Sequence, residues 1–416
     1  MSPSNAGRST ISPRTSRRDP LDVAVVGAGI VGSAAALAFA RDGLRVALVE
    51  ARAPTPWRED ASDLRVYAFA QDSVELLDSL GVWRDVAPHA QPCRTMRVWD
   101  AAAGGELRFD AQRYGRGELV WIVEHGLLAD RLWAHLQKAG VGLRCPQRVV
   151  AVAQGGEGDA DDGARRDDAV ALTLDDHATL RARLVVAADG ADSPLRAMAG
   201  IGVVRHDYGQ RGLVAFVATE RPHEQTAWQR FLPTGPLAFL PFRDGRSSIV
   251  WTLPDDEAAR LLAIDEAAFR AELTRAFDAT LGEVVAVSER AAFPLRRQIA
   301  ARFVEGRIVL CGDAAHVVHP LAGQGLNIGL RDVIALRETV RRASARGADL
   351  AAPHRLARWH RERRSESSAA AFAFEGINRL FSNDAPLATL ARGHLLGLAG
   401  RVPGLDALLW KRAAGL

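Results

Sequence analysis

Residues 312–330 bring together several residue types that are able to do chemistry. They read GDAAHVVHPLAGQGLNIGL, with histidines at His316 and His319, a proline directly after them and recurring glycines. A zinc site would use both histidines, but it needs a third or fourth ligand, and neither a nearby cysteine nor an HExxH pattern supplies one. A phosphate loop would need GxxxxGK[ST], which this stretch lacks. The interpretation that remains is a surface for a flat cofactor, with the histidines as polar or capping residues.

The same stretch suits a planar ring that carries a sugar-alcohol chain. Asp313, at the end of a predicted strand, is placed to hold hydroxyl groups, and Pro320 stiffens the turn against a ring face. Gly323 and Gly325 let the backbone approach the ring because neither has a side chain. A helix predicted from about Leu326 directs its N–H groups at the ring, where its positive end stabilises the negative charge of a reduced flavin.

A second stretch, VVGAGIVG at residues 25–32, is typical of a dinucleotide-binding turn. Gly27 permits the tight turn, Gly29 lets backbone N–H groups reach a pyrophosphate, and Gly32 allows close packing of helix on sheet. Glu50 ends the next predicted strand, 18 residues beyond Gly32, and is placed to accept hydrogen bonds from a ribose diol. Because strand, helix, second strand and acid follow in order, the pattern predicts binding of NAD or FAD rather than an ordinary glycine turn.

A third stretch, VVAADGADS at residues 185–193, places acids after another predicted strand. Asp189, Gly190 and Asp192 would lie at the carboxyl edge of the sheet, where ligands of α/β proteins bind. Asp-Gly is also a common turn sequence. The sequence leaves a structural turn and a ligand site both open here.

The predicted elements change in character along the chain. A βαβ unit at residues 23–49 begins an α/β domain, and short strands from Tyr208 to Leu253 indicate an antiparallel sheet. We therefore predict the α/β class: a Rossmann-like FAD-binding domain with an inserted antiparallel-sheet substrate domain and C-terminal helices. The predicted boundaries are a disordered lead-in at 1–19, the FAD-binding domain at 20–88, 119–201 and 289–345, the sheet domain at 89–118 and 202–288, and the helical region at 346–416.

Composition excludes several other classes of protein. The net charge of +3 comes without a basic run interleaved with aromatic residues, which argues against nucleic-acid binding. The cysteines Cys93, Cys145 and Cys311 form no CxxC pattern, so we expect no disulfide framework or zinc site and a reducing cytoplasm. The apolar run after the twin arginines at 17–18 is interrupted by Asp22 and changes from β-branched to alanine-rich residues. This change predicts strand, turn and helix rather than an export signal or a membrane span.

Taken in order, VVGAGIVG with Glu50, AADGADS and CGDAAHVVHPLAGQGLNIGLRD resemble the three motifs of the FAD-dependent aromatic-ring hydroxylases, typified by para-hydroxybenzoate hydroxylase. DLRVYAFAQDSVELLDSLGVW, TAWQRFLPTGPLAFLPFRDGRSSIVWTLP and FPLRRQIAARF resemble the ubiquinone-biosynthesis branch of that family. The resemblance covers residues 20–345 and is weaker in the C-terminal helices. It implies FAD as cofactor, NADPH or NADH as a transient reductant and O2 as co-substrate.

The resemblance also implies roles for particular residues. Arg65 matches an arginine that contacts FAD and helps to seat its moving isoalloxazine ring, with a surface salt bridge as the alternative. Glu124 falls near a position that touches the ribityl chain, with an acid favoured by the helix dipole as the alternative. Asp189 and Gly190 match the motif linked to the FAD pyrophosphate and to NADPH, and Asp313 matches the ribityl ligand. The implied cofactor-binding residues are Gly27, Gly29, Gly32, Glu50, Arg65, Glu124, Asp189, Gly190, Gly312, Asp313, Pro320, Gly323, Gly325, Leu326 and Asn327.

The resemblance implies a monooxygenase that hydroxylates the ring of a polyprenylated phenol in ubiquinone biosynthesis, through a flavin C4a-hydroperoxide. No side chain is assigned as catalytic, because the flavin carries the chemistry. A non-catalytic FAD-holding subunit of a quinone-biosynthesis assembly, and another aromatic hydroxylase of the same fold, stay open as alternatives. We expect a hydrophobic phenolic substrate, other ubiquinone-biosynthesis proteins as partners, and a cytoplasmic location peripheral to the inner membrane. The helices at Leu387–Lys411 would touch a bilayer or a partner enzyme, or pack on the protein's own surface.

Overall fold

The computed structural model describes residues 20–101, 106–155, 169–318 and 325–381. The predictions for residues 1–19, for His319, Pro320 and Gly323, and for Leu387–Lys411 lie outside the described residues. The strands, numbered in chain order, are β1 Leu21–Val26, β2 Val46–Val49, β3 Val66–Phe69, β4 Gln91–Cys93, β5 Thr95–Asp100, β6 Glu106–Asp110, β7 Val120–Glu124, β8 Gly142–Arg144, β9 Val149–Gln154, β10 Val170–Leu174, β11 Thr179–Ala187, β12 Val203–Thr219, β13 Thr226–Leu232, β14 Gly235–Pro241, β15 Ser247–Pro254, β16 Val284–Val287, β17 Ala291–Ala300, β18 Val304–Glu305, β19 Ile308–Leu310 and β20 His316–Val317. The helices are α1 Ile30–Arg41, α2 Gln71–Ser79, α3 Trp83–Val86, α4 His125–Lys138, α5 Pro194–Met198, α6 Asp255–Ala263, α7 Glu266–Ala276, α8 Gly325–Ser344 and α9 Pro353–Phe381.

The first sheet carries the glycine-rich turn. Its strand order is β18-β19-β11-β1-β2-β8, with β1 parallel to both β2 and β11, and with β11 parallel to β19. The last four residues of β1 and of β11 are continuous runs of buried apolar residues, which is typical of parallel strands covered on both faces. Because the carboxyl ends of parallel strands meet at one edge, the turns after β1, β11 and β19 lie together. These turns contain all three sequence motifs.

The second sheet has the order β20-β17-β12-β15-β14-β13-β5-β6, with β16 also beside β12. Its pairs are antiparallel apart from β13 with β5. One face packs against α6 and α7 around a core that includes Phe269, Leu273 and Phe277. β17 falls in the segment 289–345 that we predicted for the FAD-binding domain, yet it pairs along β12. The predicted boundary near residue 289 therefore does not separate the two sheets, because strand alternation does not reveal which sheet a strand joins.

A three-stranded sheet of order β3-β7-β4 and two long helices complete the site's framework. α8 begins at Gly325, one residue before its predicted start. α9 packs on α8, where the indole N–H of Trp359 donates to the Asp332 carbonyl at 3.3 Å. Among the described helices, none has the combination of length and apolarity that crossing a bilayer requires.

Candidate cofactor and substrate site

The turn after β1 is built so that only glycines fit at two positions. Gly27 has a φ of +101°, and a Cβ there would lie 2.3 Å from the carbonyl oxygen of Ala188. A Cβ on Gly32 would lie 2.0 Å from the carbonyl oxygen of Gly27. Gly29 differs, because a Cβ there would meet no atom within 4 Å. Gly27 and Gly32 are thus required by packing, whereas Gly29 leaves open space in front of the first turn of α1.

Glu50 follows β2 and faces this turn. One carboxylate oxygen accepts the backbone N–H of Ala28 at 2.6 Å, and the other accepts that of Arg52 at 3.0 Å. An ionised carboxylate has about four acceptor sites, so these two bonds leave capacity for a ligand. Glu50 therefore ties the glycine turn to β2 and still lines a cavity.

Two cavities adjoin each other at the edge of the first sheet. The larger, about 870 Å³, is bounded by Glu50 and the residues that follow it. The smaller, about 530 Å³, is bounded by Asp313 and by the second sheet. Both are lined by Gly29, Arg65 and His125, so they form one continuous space. Glu50 and Asp313 lie in different halves of this space, as binding opposite ends of one long ligand requires.

Asp313 lies in the short turn after β19, with its side chain accessible from the smaller cavity. It makes no hydrogen bond to the other described residues. The surrounding walls remove water and raise the pKa of its carboxyl group, while the charges of His316 and Arg296 act in the opposite direction. The structure thus presents an acceptor group to the cavity with no partner among the described residues, which suits a ribityl hydroxyl.

The turn that carries Asp313 is held by Asp332, a fully buried carboxylate on α8. Asp332 accepts the N–H of Gly312 at 3.0 Å, Nε2 of His316 at 2.7 Å and Nε of Arg363 at 2.8 Å. Burial acts to raise the pKa of Asp332, but His316 and Arg363 outweigh it and lower the pKa. His316 is therefore engaged with a carboxylate, and no metal-binding cluster of His, Cys, Asp or Glu occurs among the described residues.

The start of α8 contributes backbone and side chain in different ways. Gly325 and Leu326 line the smaller cavity. The side chain of Asn327 is buried and points elsewhere: its oxygen accepts the Ala70 N–H at 3.0 Å and the Ser73 hydroxyl at 2.8 Å, and its amide donates to the Ala68 carbonyl at 2.8 Å. The side chain of Asn327 thus fixes α8 to the turn between β3 and α2. The predicted role of Asn327 in binding the cofactor stays a prediction.

The turn after β11 shows features of a structural turn and also contributes to the lining of a cavity. Asp189 accepts the N–H of Leu195 at 3.0 Å, which is a structural turn contact, and burial raises the pKa of its carboxyl group. Gly190 has a φ of +88° and lines the smaller cavity. Asp192 forms exposed ion pairs with Arg205 and Arg296. Of these three residues, Gly190 is the one that lines the smaller cavity, and the predicted roles of Asp189 and Gly190 in cofactor binding stay predictions.

Arg65 and His125 form the junction of the two cavities. Arg65 makes a two-point ion pair with Asp63, with its Nη2 at 2.9 Å from Oδ2. Burial, reinforced by the charge of Arg65, lowers the pKa of His125 to about 4, so its ring is neutral at physiological pH. Nδ1 of His125 is buried and accepts or donates no hydrogen bond within the described structure. Sequence reasoning missed His125, for which the only signal was its position at the start of a helix beside Glu124.

Glu124 itself lies behind the cavity wall. It is 2 % exposed, and its Oε2 accepts the indole N–H of Trp57 at 2.5 Å. Burial raises the pKa of Glu124, and the bond from Trp57 partly offsets this effect. It does not cap α4 with its side chain. The predicted ribityl contact of Glu124 stays a prediction, because the lining of both cavities is formed by its neighbour His125.

The smaller cavity is roofed by the second sheet. Val214, Leu240, Val250 and Leu295 contribute apolar side chains to this surface, Gly212 contributes backbone, and Ser248 and Arg296 add polar groups. Leu240 belongs to β14 of this sheet, within the PLAFLPF stretch. The two cavities therefore differ. The larger cavity combines the N-terminus of α1 with the carboxylate of Glu50, and the smaller cavity is mainly apolar and contains the carboxylate of Asp313. FAD, which joins a ribose and pyrophosphate to a planar ring, fits this combination.

A comparison with family models matches residues 20–372 to the FAD binding domain family. The chain belongs to this family. FAD is accordingly its cofactor, as the three motifs predicted, and the chain is a flavin-dependent monooxygenase.

Known relatives refine the placement of this flavoprotein. It is 38% identical to the ubiquinone hydroxylase UbiL of Rhodospirillum rubrum over 410 residues, 98% of this chain and 92% of the relative. It is 35% identical to the 3-demethoxyubiquinol 3-hydroxylase of Escherichia coli over 400 residues, 95% and 99% of the two chains. The human ubiquinone biosynthesis monooxygenase COQ6 is 32% identical, with 89% and 87% covered. These relatives confirm the ubiquinone-biosynthesis branch of the aromatic-ring hydroxylases.

Solved structures confirm the predicted fold class of the flavoprotein. The p-nitrophenol 4-monooxygenase PnpA from Pseudomonas putida superimposes with a TM-score of 0.74 at 21% identity, over 95% of this chain and 98% of that one. PqsL from Pseudomonas aeruginosa gives 0.72 at 23% identity, over 91% and 99%. At such identities the likeness establishes the fold alone.

Proposed function

We propose that this monooxygenase hydroxylates the aromatic ring of a polyprenylated phenol that is an intermediate of ubiquinone biosynthesis. NADH or NADPH gives two electrons, one atom of O2 enters the ring, and the other atom leaves as water. FAD, when bound, supplies the activation of O2. The observation that carries the proposal is the apolar cavity of about 530 Å³ that continues from the dinucleotide half of the site.

The chain's own residues position the reactants and keep water away from them. Val214, Leu240 and Leu295 provide an apolar roof, which limits the access of water to the reacting ring. Tyr67 and Ser248 also line this cavity. Burial raises the pKa of Tyr67 to about 12, so its hydroxyl stays protonated at physiological pH and is able to donate a hydrogen bond to a phenolic oxygen.

The proposal is tested by product analysis. Purified protein loaded with FAD is expected to oxidise NADH or NADPH faster when a prenylated phenol is added, with a hydroxylated product seen by mass spectrometry. Expression in bacterial strains that each lack one ubiquinone hydroxylation step would then show which step is restored. Flavin-containing protein that never yields a hydroxylated product would refute the proposal and favour the non-catalytic subunit.

A variant of the roof separates substrate binding from cofactor binding. Gly212 is an extended strand residue, and a Cβ there would lie 3.4 Å from Cδ2 of Leu295. Gly212→Val therefore fills part of the roof without touching Glu50 or Asp313. We expect normal FAD content and a rise in KM for the phenol of about tenfold, which corresponds to about 1.4 kcal/mol, because the added side chain takes up space that the phenol would occupy.

We also propose that the protein works at the membrane surface beside other proteins of ubiquinone biosynthesis. A polyprenylated substrate resides in a bilayer, and the apolar sequence at Leu387–Lys411 suits peripheral contact with it. Flotation with liposomes is expected to weaken when the last 30 residues are removed. Equal flotation of the full and shortened chains would show that these residues do not bind the membrane.

A further inference from the structure

Residues 51–64, here called the lining segment, connect Glu50 to Arg65. They contain no helix or strand, yet residues from Ala51 to Asp63 form more than half of the lining of the larger cavity. A segment without regular secondary structure depends on side-chain contacts to keep its position. The contacts that hold it therefore determine the shape of the cofactor cavity.

Trp57 is the most firmly held residue of the lining segment. Its indole N–H donates to the buried carboxylate of Glu124, and its ring lies 4.7 Å from that of His89, centroid to centroid. The guanidinium carbons of Arg131 and Arg243 lie 5.5 and 5.6 Å from the centroid of the indole ring. A hydrogen bond to a buried carboxylate is among the stronger kinds in proteins, so Trp57 has a defined position against the wall.

The same segment is bonded to the second sheet through the turn between β14 and β15. Nη1 of Arg243 donates to Oε1 of Glu59 at 2.9 Å, and Nη2 of Arg246 donates to the hydroxyl of Ser62 at 3.2 Å. In the sequence, Glu59 and Ser62 lie between Trp57 and Arg65, in the part of the lining segment that leads to the junction of the two cavities. The sheet that roofs the smaller cavity thus also fixes the wall of the larger one.

We propose that Trp57 is a positioning residue that holds the lining segment against bound FAD, and that Arg243 and Arg246 couple this position to the second sheet. The inference rests on the proposed function, in which FAD extends from the larger cavity into the smaller one. Without the bond to Glu124 the segment would move away from the cavity, and with it the Asp63–Arg65 pair at the junction. FAD would then leave faster, although Glu50 and Asp313 themselves were unchanged. Trp57 also lines the larger cavity, so the variants at Arg243 and Glu59, which line neither cavity, separate positioning from direct contact.

The test is the rate at which FAD dissociates, followed by the recovery of free-flavin fluorescence. Trp57→Phe keeps an aromatic ring but removes the donor to Glu124, and we expect dissociation about tenfold faster, since a hydrogen bond to a charged group is lost. Trp228→Phe is the matched control, because it also removes an indole hydrogen bond, to the His223 carbonyl, outside both cavities. Its dissociation rate is expected to stay within twofold of the unmodified protein's.

Partners outside the cavity lining keep the inference testable if Trp57→Phe does not fold. Arg243→Gln and Glu59→Gln are each expected to speed dissociation about threefold, and the double variant no more than Arg243→Gln alone, because the ion pair lost in Glu59→Gln is also lost in Arg243→Gln. Unchanged dissociation in these variants, or equal acceleration in both tryptophan variants, would overturn the inference. Asp313→Ala distinguishes failure of the assigned FAD site from failure of the role of Trp57. If Asp313→Ala retains FAD, the assigned site is wrong. If Asp313→Ala loses FAD and the other variants do not, only the role of Trp57 is wrong.

Discussion

Replacing Asp332 by asparagine removes one negative charge from a fully buried position while almost preserving the side chain's shape. In the native protein, one carboxylate oxygen of Asp332 accepts hydrogen bonds from Gly312 and His316, and the other oxygen accepts one from Arg363. An amide offers one acceptor and one donor group, so at least one of these donors must face an N–H2 group instead of an oxygen. Arg363, which is 4 % exposed, would keep Glu366 as its charged partner near the surface.

The cost follows from this geometry. Removing one member of a buried ion pair costs about 3–5 kcal/mol, since the other charge stays buried without full compensation. In a chain of this size each 1 kcal/mol corresponds to about 2 °C, so we expect Asp332→Asn to lower Tm by about 6–10 °C. Glu338→Gln is the control on the same helix: Glu338 pairs with Arg341 and Arg342 at the surface, where such pairs contribute less than about 1 kcal/mol.

Thermal unfolding measured by circular dichroism, with and without added FAD, provides the assay. Because Asp332 holds the N–H of Gly312 next to Asp313, the variant should also lose stabilisation by FAD. The pKa of Asp332 is lowered in the folded protein, so its contribution is complete above the carboxyl group's unfolded pKa of about 3.9 and is lost as pH falls through the folded value. The difference between variant and native protein should thus be constant at neutral pH and narrow below about pH 4. A Tm within 1 °C of the control's at pH 7 would refute this account.

Three further substitutions test the assigned cofactor site. Asp313→Ala should give folded but colourless protein, because the carboxylate has no described partner to lose and serves the ligand; a yellow preparation with normal flavin content would contradict its role. Gly32→Ala should prevent normal docking of α1, since its Cβ would lie 2.0 Å from the Gly27 carbonyl oxygen, and should lower both Tm and flavin content. Gly29→Ala, whose Cβ meets no protein atom, should by contrast keep Tm and lower only the affinity for FAD, as titration of the apoprotein would show.

The glycine turn, the flavin motif and the fold class were predictable because their causes are local in sequence. A positive φ at Gly27 and the close approach of helix to sheet at Gly32 each demand glycine, so the pattern states the geometry directly. The start of α8 was found within one residue for a similar reason, since it follows a glycine-rich stretch and begins an apolar periodicity.

The contacts that hold these motifs were not predictable in the same way. Trp57 and Glu124 are 67 residues apart, and Asp332 and Arg363 are 31 residues apart, so no local pattern joins them. The one usable signal was an acid at Asp332 on the otherwise apolar face of α8, where a charge needs a buried partner. The side-chain partners of Asn327 were not predictable for the same reason, because they lie more than 250 residues away in sequence.

The charges of Arg65 and His125, at the junction of the two cavities, bear on why the glycine spacing in the sequence predicted the cofactor site. His125 is neutral at physiological pH, and Arg65 is paired at two points with Asp63, so these two residues place little net positive charge between the cavities. Beside Gly29, backbone N–H groups and the positive end of α1 would then meet a pyrophosphate, while the cationic side chains of Arg52, Arg58 and Arg148 line other parts of the larger cavity. Backbone donors can approach a ligand only where side chains are missing, and glycine spacing is the trace that this requirement leaves in a sequence.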